Sequence, residues 1–129
     1  MKVACIQLSS GEDYNKNFKE IVKYINQAIV NKADLIITPE TSSLMSADKN
    51  NLFKYSYEMK NDPIIKKVKI IAKTKKKWIL LGSMCIKEKS KLRNRSILIG
   101  PKGKINTYYD KINMFDVKVS KKEQHKESK

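Results

Sequence analysis

Between Lys2 and Thr38 the chain spells a strand, an amphipathic helix and a second strand, an order that few folds accept. Lys2 to Leu8 alternates and is rich in β-forming residues, so it reads as a first strand. After a Ser9-Ser10-Gly11 turn, Asp13 can cap a helix whose residues Phe18, Ile21, Val22, Ile25, Ala28 and Ile29 share one face. Lysines and Glu20 take the other face, and Asn31 is a natural stop. Asp34 to Thr38 is short and almost wholly apolar, as expected of a strand covered on both faces. Two strands joined through a helix make a βαβ unit, and the chain leaves the second strand at Pro39-Glu40.

The rest extends this α/β pattern. Thr41 to Asn61 is polar and predicts a loop with a short helix. Pro63 suits a first helical position, and Ile64, Ile65, Val68, Ile71 and Ala72 mark the apolar face of the helix that follows. Trp78 to Ile86 predicts a buried strand and Asn94 to Ile99 another. The Gly100-Pro101-Lys102-Gly103 turn and a strand over Lys104 to Tyr109 complete a hairpin. Residues 1–117 therefore read as one domain. In residues 118–129 the one apolar residue is Val119, which predicts a polar basic tail.

Composition narrows the function classes. A chain of 129 residues suits one domain, and with 40% apolar residues and little glycine or proline it is globular in type. No apolar run reaches the ~20 residues that span a bilayer, and the N-terminus lacks the pattern of a signal peptide. A soluble cytoplasmic protein without membrane association is expected. Cys5 and Cys85 are too far apart in sequence for a metal-binding pair and too few for a disulfide framework, so no metal or cofactor is expected. The net charge of +15 raises the alternative of a lysine-rich basic interaction or nucleic-acid-binding module. Arg93 and Arg95 are the only arginines among the 28 basic residues, whereas base and phosphate readers favour the bidentate guanidinium. A lysine-coated solvated surface is the simpler reading.

Glu40 leaves the carboxyl end of a buried strand, where open α/β folds place functional groups; on position alone a solvated loop carboxylate is the simpler reading. Lys111, after the last strand, is by itself one lysine among many. Cys5, between apolar strand residues, reads as a buried inert thiol, and Cys85 ends a strand without a neighbouring base. The lone His125 sits in the polar tail.

Order and company change these readings. Val3 to Leu8, the helix, and Ala33-Asp34-Leu35-Ile36-Ile37-Thr38-Pro39-Glu40 resemble the opening of nitrilase-superfamily (carbon–nitrogen hydrolase) enzymes, where a second strand ends in Pro-Glu. Leu81-Gly82-Ser83, the stretch Arg93 to Lys104, and Tyr109-Asp110-Lys111-Ile112-Asn113-Met114-Phe115-Asp116 look like that family's next three blocks, in its order. The last is similar to its lysine motif, usually Tyr-x-Lys-x-His-Leu-Phe-Asp. The resemblance spans essentially the whole chain and is closest to the amidase-like branch that acts on small ω-amido or related substrates.

The resemblance implies the N-terminal half of a four-layer α-β-β-α sandwich and a carbon–nitrogen hydrolase acting on linear amides or nitriles through a Glu-Lys-Cys triad. Glu40 would be the general base, Lys111 the cation beside the oxyanion, and Glu127, in Gln124-His125-Lys126-Glu127, a second supporting carboxylate. For Glu127 a charged tail residue is an equal reading. Asn113 departs from the family's histidine. The family's nucleophile lies in a Cys-Tyr-Asp-like block that residues 1–129 do not contain. The expectation is therefore a fragment from a truncated or split gene, inactive alone, completed by a separately encoded C-terminal piece or retained as a binding module. A homo-oligomer is expected only of an intact subunit.

Overall fold

A computed structural model describes residues 1–111, 116–120 and 123–126. Five strands form one sheet in the order β1 (Val3–Cys5), β2 (Leu35–Ile37), β3 (Trp78–Glu88), β4 (Lys91–Ile99), β5 (Ile105–Asp110). The first three strands run parallel, and β3–β4 and β4–β5 are antiparallel. Helix α1 (Tyr14–Val30) connects β1 to β2. The passage from β2 to β3 holds α2 (Lys49–Tyr55), a single 3-10 turn (Met59–Asn61) and α3 (Pro63–Lys75).

The ends of these elements follow from local chemistry. The Asp13 carboxylate accepts from the Lys16 N–H at the start of α1, and Asn31 closes the helix. At α3, Asp62 accepts from the Ile64 and Ile65 N–H groups ahead of Pro63, and Lys76 ends the helix in the left-handed region. Strands β1 and β2 are shorter than their sequence runs. Strands β3 and β4 are longer than expected and form a hairpin of their own: β3 continues to Glu88 and β4 starts at Lys91, and Glu88 pairs with both Arg93 and Arg95 across the ladder. The polar segment expected as a tail contains a two-stranded antiparallel sheet, β6 (Asp116–Ser120) with β7 (Glu123–Lys126).

The core lies between one face of the sheet and the helices. Ile36, Ile79, Leu81, Ile97 and Ile99 point from the sheet to Ile21 and Ile25 of α1 and Ile64, Ile65 and Val68 of α3, all fully or almost fully buried. The alternate residues point the other way. Val3, Leu35, Ile37, Trp78, Leu80 and Leu98 lie outside that core cluster, and Val3 and Trp78 remain 44% and 39% exposed. The sheet thus has a second apolar face, on which Val3 and Trp78 are exposed and Leu35, Ile37, Leu80 and Leu98 are half-buried. Cys5 corrects the sequence expectation. It is exposed, because Ala4 pairs with Ile36 on the core side and turns both neighbours to the open face. Among the described residues no helix is long and apolar enough to cross a membrane.

One buried polar pair joins α1 to α3. The Tyr14 hydroxyl donates to Asp62, which is fully buried and has one carboxylate oxygen without a partner among the described residues. Burial pushes the Asp62 carboxyl above its ordinary range, although the bonds from Tyr14, Ile65 and Ile64 pull it down. A raised folded value means that this group's contribution to stability is fully present below the ordinary carboxylate value and is lost as pH rises through the folded one. Asp62→Asn keeps a capping side chain and removes the charge. The variant should therefore gain on the wild type in melting temperature as pH is raised from about 4 to about 8. A difference that stays constant over that range would show that the carboxyl titrates normally.

Candidate active site

Three elements meet at the carboxyl end of β2. The chain leaves β2 through Thr38 and Pro39, and Glu40 stands at the mouth of a cleft of about 180 Å³ lined by Gly82, Ser83, Asn94, Ser96, Tyr109 and Lys111. Lys111, the first residue beyond β5, brings its ammonium 3.1 Å from Glu40 Oε1, across a sequence separation of 71 residues. Asn94 of β4 donates from Nδ2 to the same oxygen at 3.0 Å. Hydrogen bonds from Lys111 first, and then from Asn94, hold the Glu40 carboxyl below its ordinary range. Both partners are partly open to solvent, 57% for the Glu40 side chain and 37% for Lys111, so the pair adds little stability.

Backbone features place Glu40. Gly82 approaches the turn so closely that a Cβ there would fall 1.9 Å from the Thr38 carbonyl oxygen. Its N–H donates to Thr38 Oγ1, and its carbonyl accepts from Ser96 Oγ. Gly82 and Ser83 form a bulge, where the β3–β4 register shifts between Leu81 and Met84. The Ser83 hydroxyl accepts from the Thr41 N–H at 2.7 Å. Thr41 itself has φ of 51°, a left-handed conformation that costs a β-branched residue about 1–3 kcal/mol. Strain of that kind persists where the surrounding bonds over-determine it, and here it sits next to the candidate base.

Lys111 is placed by an ion-pair clamp one residue back. Arg95, 3% exposed, binds both Asp110 oxygens, at 2.6 and 2.9 Å, and also Glu88, and its guanidinium stacks 4.2 Å from the Tyr108 ring centroid. Hydrogen bonds to Asp110 are the main reason that the Arg95 guanidinium is held firmly charged. The clamp ties the end of β5 to β4, and the Lys111 N–H then donates to the Asn94 carbonyl at 2.9 Å.

The structure thus brings Glu40 and Lys111 together; Glu127 and Asn113 lie outside the described residues. Cys85 pairs in register with Asn94 and lines a neighbouring cavity of about 160 Å³, beside Leu44, Leu52 and Leu92, that shares Asn94 with the cleft. Its sulfur accepts from Ser56, and burial pushes the thiol up, which keeps it protonated and weakly nucleophilic. Among the described residues no group of three or more His, Cys, Asp or Glu side chains could hold a metal ion. Sequence reasoning missed Asn94, Thr41 and the Arg95 clamp. The signals for Asn94 were its place in the family-like stretch Arg93 to Lys104 and its two-residue spacing from Ser96 and Leu98, which sets it on the sheet face opposite the core.

Comparison with known proteins decides the lineage. The carbon–nitrogen hydrolase family model matches residues 2–129. The chain belongs to the carbon–nitrogen hydrolase family. Among curated relatives, a deaminated glutathione amidase of Yersinia enterocolitica is 31% identical over 121 residues, covering 91% of this chain and 41% of the relative. Nitrilase homolog 2 of Dictyostelium discoideum is 30% identical over 129 residues, covering 98% of this chain and 39% of the relative. Among solved structures, the Caenorhabditis elegans NitFhit protein superposes with a TM-score of 0.83 at 25% identity, over 98% of this chain and 32% of that one. This hydrolase-family chain therefore has the nitrilase α/β fold and spans about two-fifths of the length of the curated relatives it matches.

Proposed function

We propose that this chain supplies the base and the cation of a site that hydrolyses linear amides or nitriles, the nucleophilic thiolate coming from polypeptide that completes the sandwich. The observation that carries the reading is the 3.1 Å contact between Lys111 Nζ and Glu40 Oε1 at the edge of a cleft. The apolar sheet face, with Val3, Leu35, Ile37, Leu80 and Leu98, is the surface on which the completing half would sit. The kinship with an amidase that acts on deaminated glutathione supports a small amide substrate.

The chemistry follows from the charges. Glu40, ionised at neutral pH, takes the proton of the incoming thiol. The thiolate adds to the amide carbon, and charge collects on the former carbonyl oxygen beside the Lys111 ammonium. The proton held by Glu40 passes to the leaving nitrogen, which departs as ammonia and leaves a thioester. Glu40 then deprotonates a water that adds to the thioester, and the thiol recovers its proton as the acid is released. Pairing with Lys111 keeps Glu40 charged but also weakens it as a base. A second carboxylate on Lys111, the role proposed for Glu127, would return part of that basicity.

The test is to combine the chain with the polypeptide encoded downstream of it and to measure ammonia release from linear ω-amido acids and from nitriles. Release by the combination, with none from the chain alone, is the expected result. Activity of the chain alone would overturn the assignment of the nucleophile. A folded combination containing a Cys-Tyr-Asp-like block but inert toward both substrate classes would overturn the function.

A further inference from the structure

We propose that Asn94 is the positioning residue of this site: its side-chain amide selects Glu40 Oε2 as the oxygen that exchanges protons. The inference deepens the reading of Glu40 as a base and rests on it. Asn94 touches both members of the pair. Its main-chain carbonyl accepts from the Lys111 N–H at 2.9 Å, and its Nδ2 donates to Glu40 Oε1 at 3.0 Å. Lys111 Nζ donates to that same Oε1 at 3.1 Å. Two donors on one oxygen leave Oε2 as the oxygen with the freer lone pairs. An ammonium on a flexible stem can swing to either carboxylate oxygen. A planar amide on β4, hydrogen-bonded between β3 and β5, cannot.

Asn94 is also costly where it stands. Asparagine is depleted in strands. Its Oδ1 is buried with no hydrogen-bond partner among the described residues, an arrangement that ordinarily destabilises. Reversing the amide would aim Oδ1 at an ionised carboxylate, which repels it. The bond to Glu40 is thus what orients this side chain, and a residue that breaks local rules in this way marks a functional position.

Asn94→Leu, of similar size and better suited to a strand, separates the two roles. Glutamate carboxyl carbons would be followed by carbon-13 NMR against pH, with Glu40 assigned by the resonance lost in Glu40→Gln. The expected result is an upward shift of the Glu40 midpoint in Asn94→Leu with no loss of melting temperature. An unmoved midpoint would overturn the proposal, and a lowered melting temperature with it would assign Asn94 a purely structural role. Should the variant fail to fold, the unsubstituted protein gives the answer. The Asn94 side-chain amide protons should shift with the Glu40 midpoint, and amide protons that stay fixed through it would overturn the proposal. None of these readouts needs turnover. Failure of Glu40 as a catalytic base would appear only in the ammonia assay and leave them unchanged.

Discussion

In the completed hydrolase, Glu40→Gln is expected to lower kcat/KM by about 10³-fold, the usual scale for removing a positioned base. Glutamine keeps the shape and can still accept from Lys111 and Asn94 through its amide oxygen, so only the capacity to take a proton is lost. The fold should hardly notice, because the Glu40–Lys111 pair is open to solvent and such pairs contribute less than about 1 kcal/mol. The pH dependence has a definite sign. The Glu40 carboxyl is held low by Lys111 and then Asn94. Its stabilising interactions are therefore present above the ordinary glutamate value and disappear as pH falls through the depressed folded value. The acid limb of the wild-type rate profile should accordingly lie below the ordinary glutamate range, and Glu40→Gln should abolish that limb. A variant that turns over amide at the wild-type rate would remove Glu40 from the mechanism.

Gly82→Ala should have the largest effect on the fold. The new methyl carbon would sit 1.9 Å from the Thr38 carbonyl oxygen and 2.8 Å from that of Pro39, both backbone atoms that cannot rotate away. Relief requires β2 and β3 to part where the chain turns toward Glu40. That strains the Thr38 N–H bond to Leu80 at 2.9 Å and the Gly82 N–H bond to Thr38 Oγ1 at 3.0 Å. Overpacking of this kind together with two weakened hydrogen bonds costs roughly 3 kcal/mol or more. For a domain of this size that is a fall on the order of 10 °C in melting temperature. Gly11→Ala is the control, since nothing lies within 4 Å of a Cβ there, and it should change stability by less than about 1 kcal/mol. The completed hydrolase should also lose activity in Gly82→Ala well below its melting temperature, because Glu40 moves with the turn. If thermal melting placed Gly82→Ala and Gly11→Ala together, the close approach of Gly82 to the Thr38–Pro39 turn would be disproved.

How far the site was legible follows from the range of each interaction. Period-two and helical spacing identified β1 to β5, α1 and α3, with the caps Asp13 and Asn31 and the first helical residue Pro63, because those patterns report burial and hydrogen bonding within a few residues. The Pro39-Glu40 exit and the block ending at Lys111 were visible as ordered motifs, but nothing local says that two residues 71 apart will touch. That contact depends on the strand order, on the bulge at Gly82 and Ser83, and on the Arg95–Asp110 clamp that ends β5.

The sequence by itself determined β1 to β5, α1 and α3, their parallel opening and the family to which they are similar, since each rests on periodicity or on contiguous motifs. The tertiary structure alone decided that Cys5 faces outward, that Val3 and Trp78 stay exposed on the second sheet face, and that Asn94 joins Glu40 to Lys111. The physical reason is register. Which face a strand residue takes, and what lies across from it, is settled by pairing with distant strands, and a shift of one residue would reverse every such assignment.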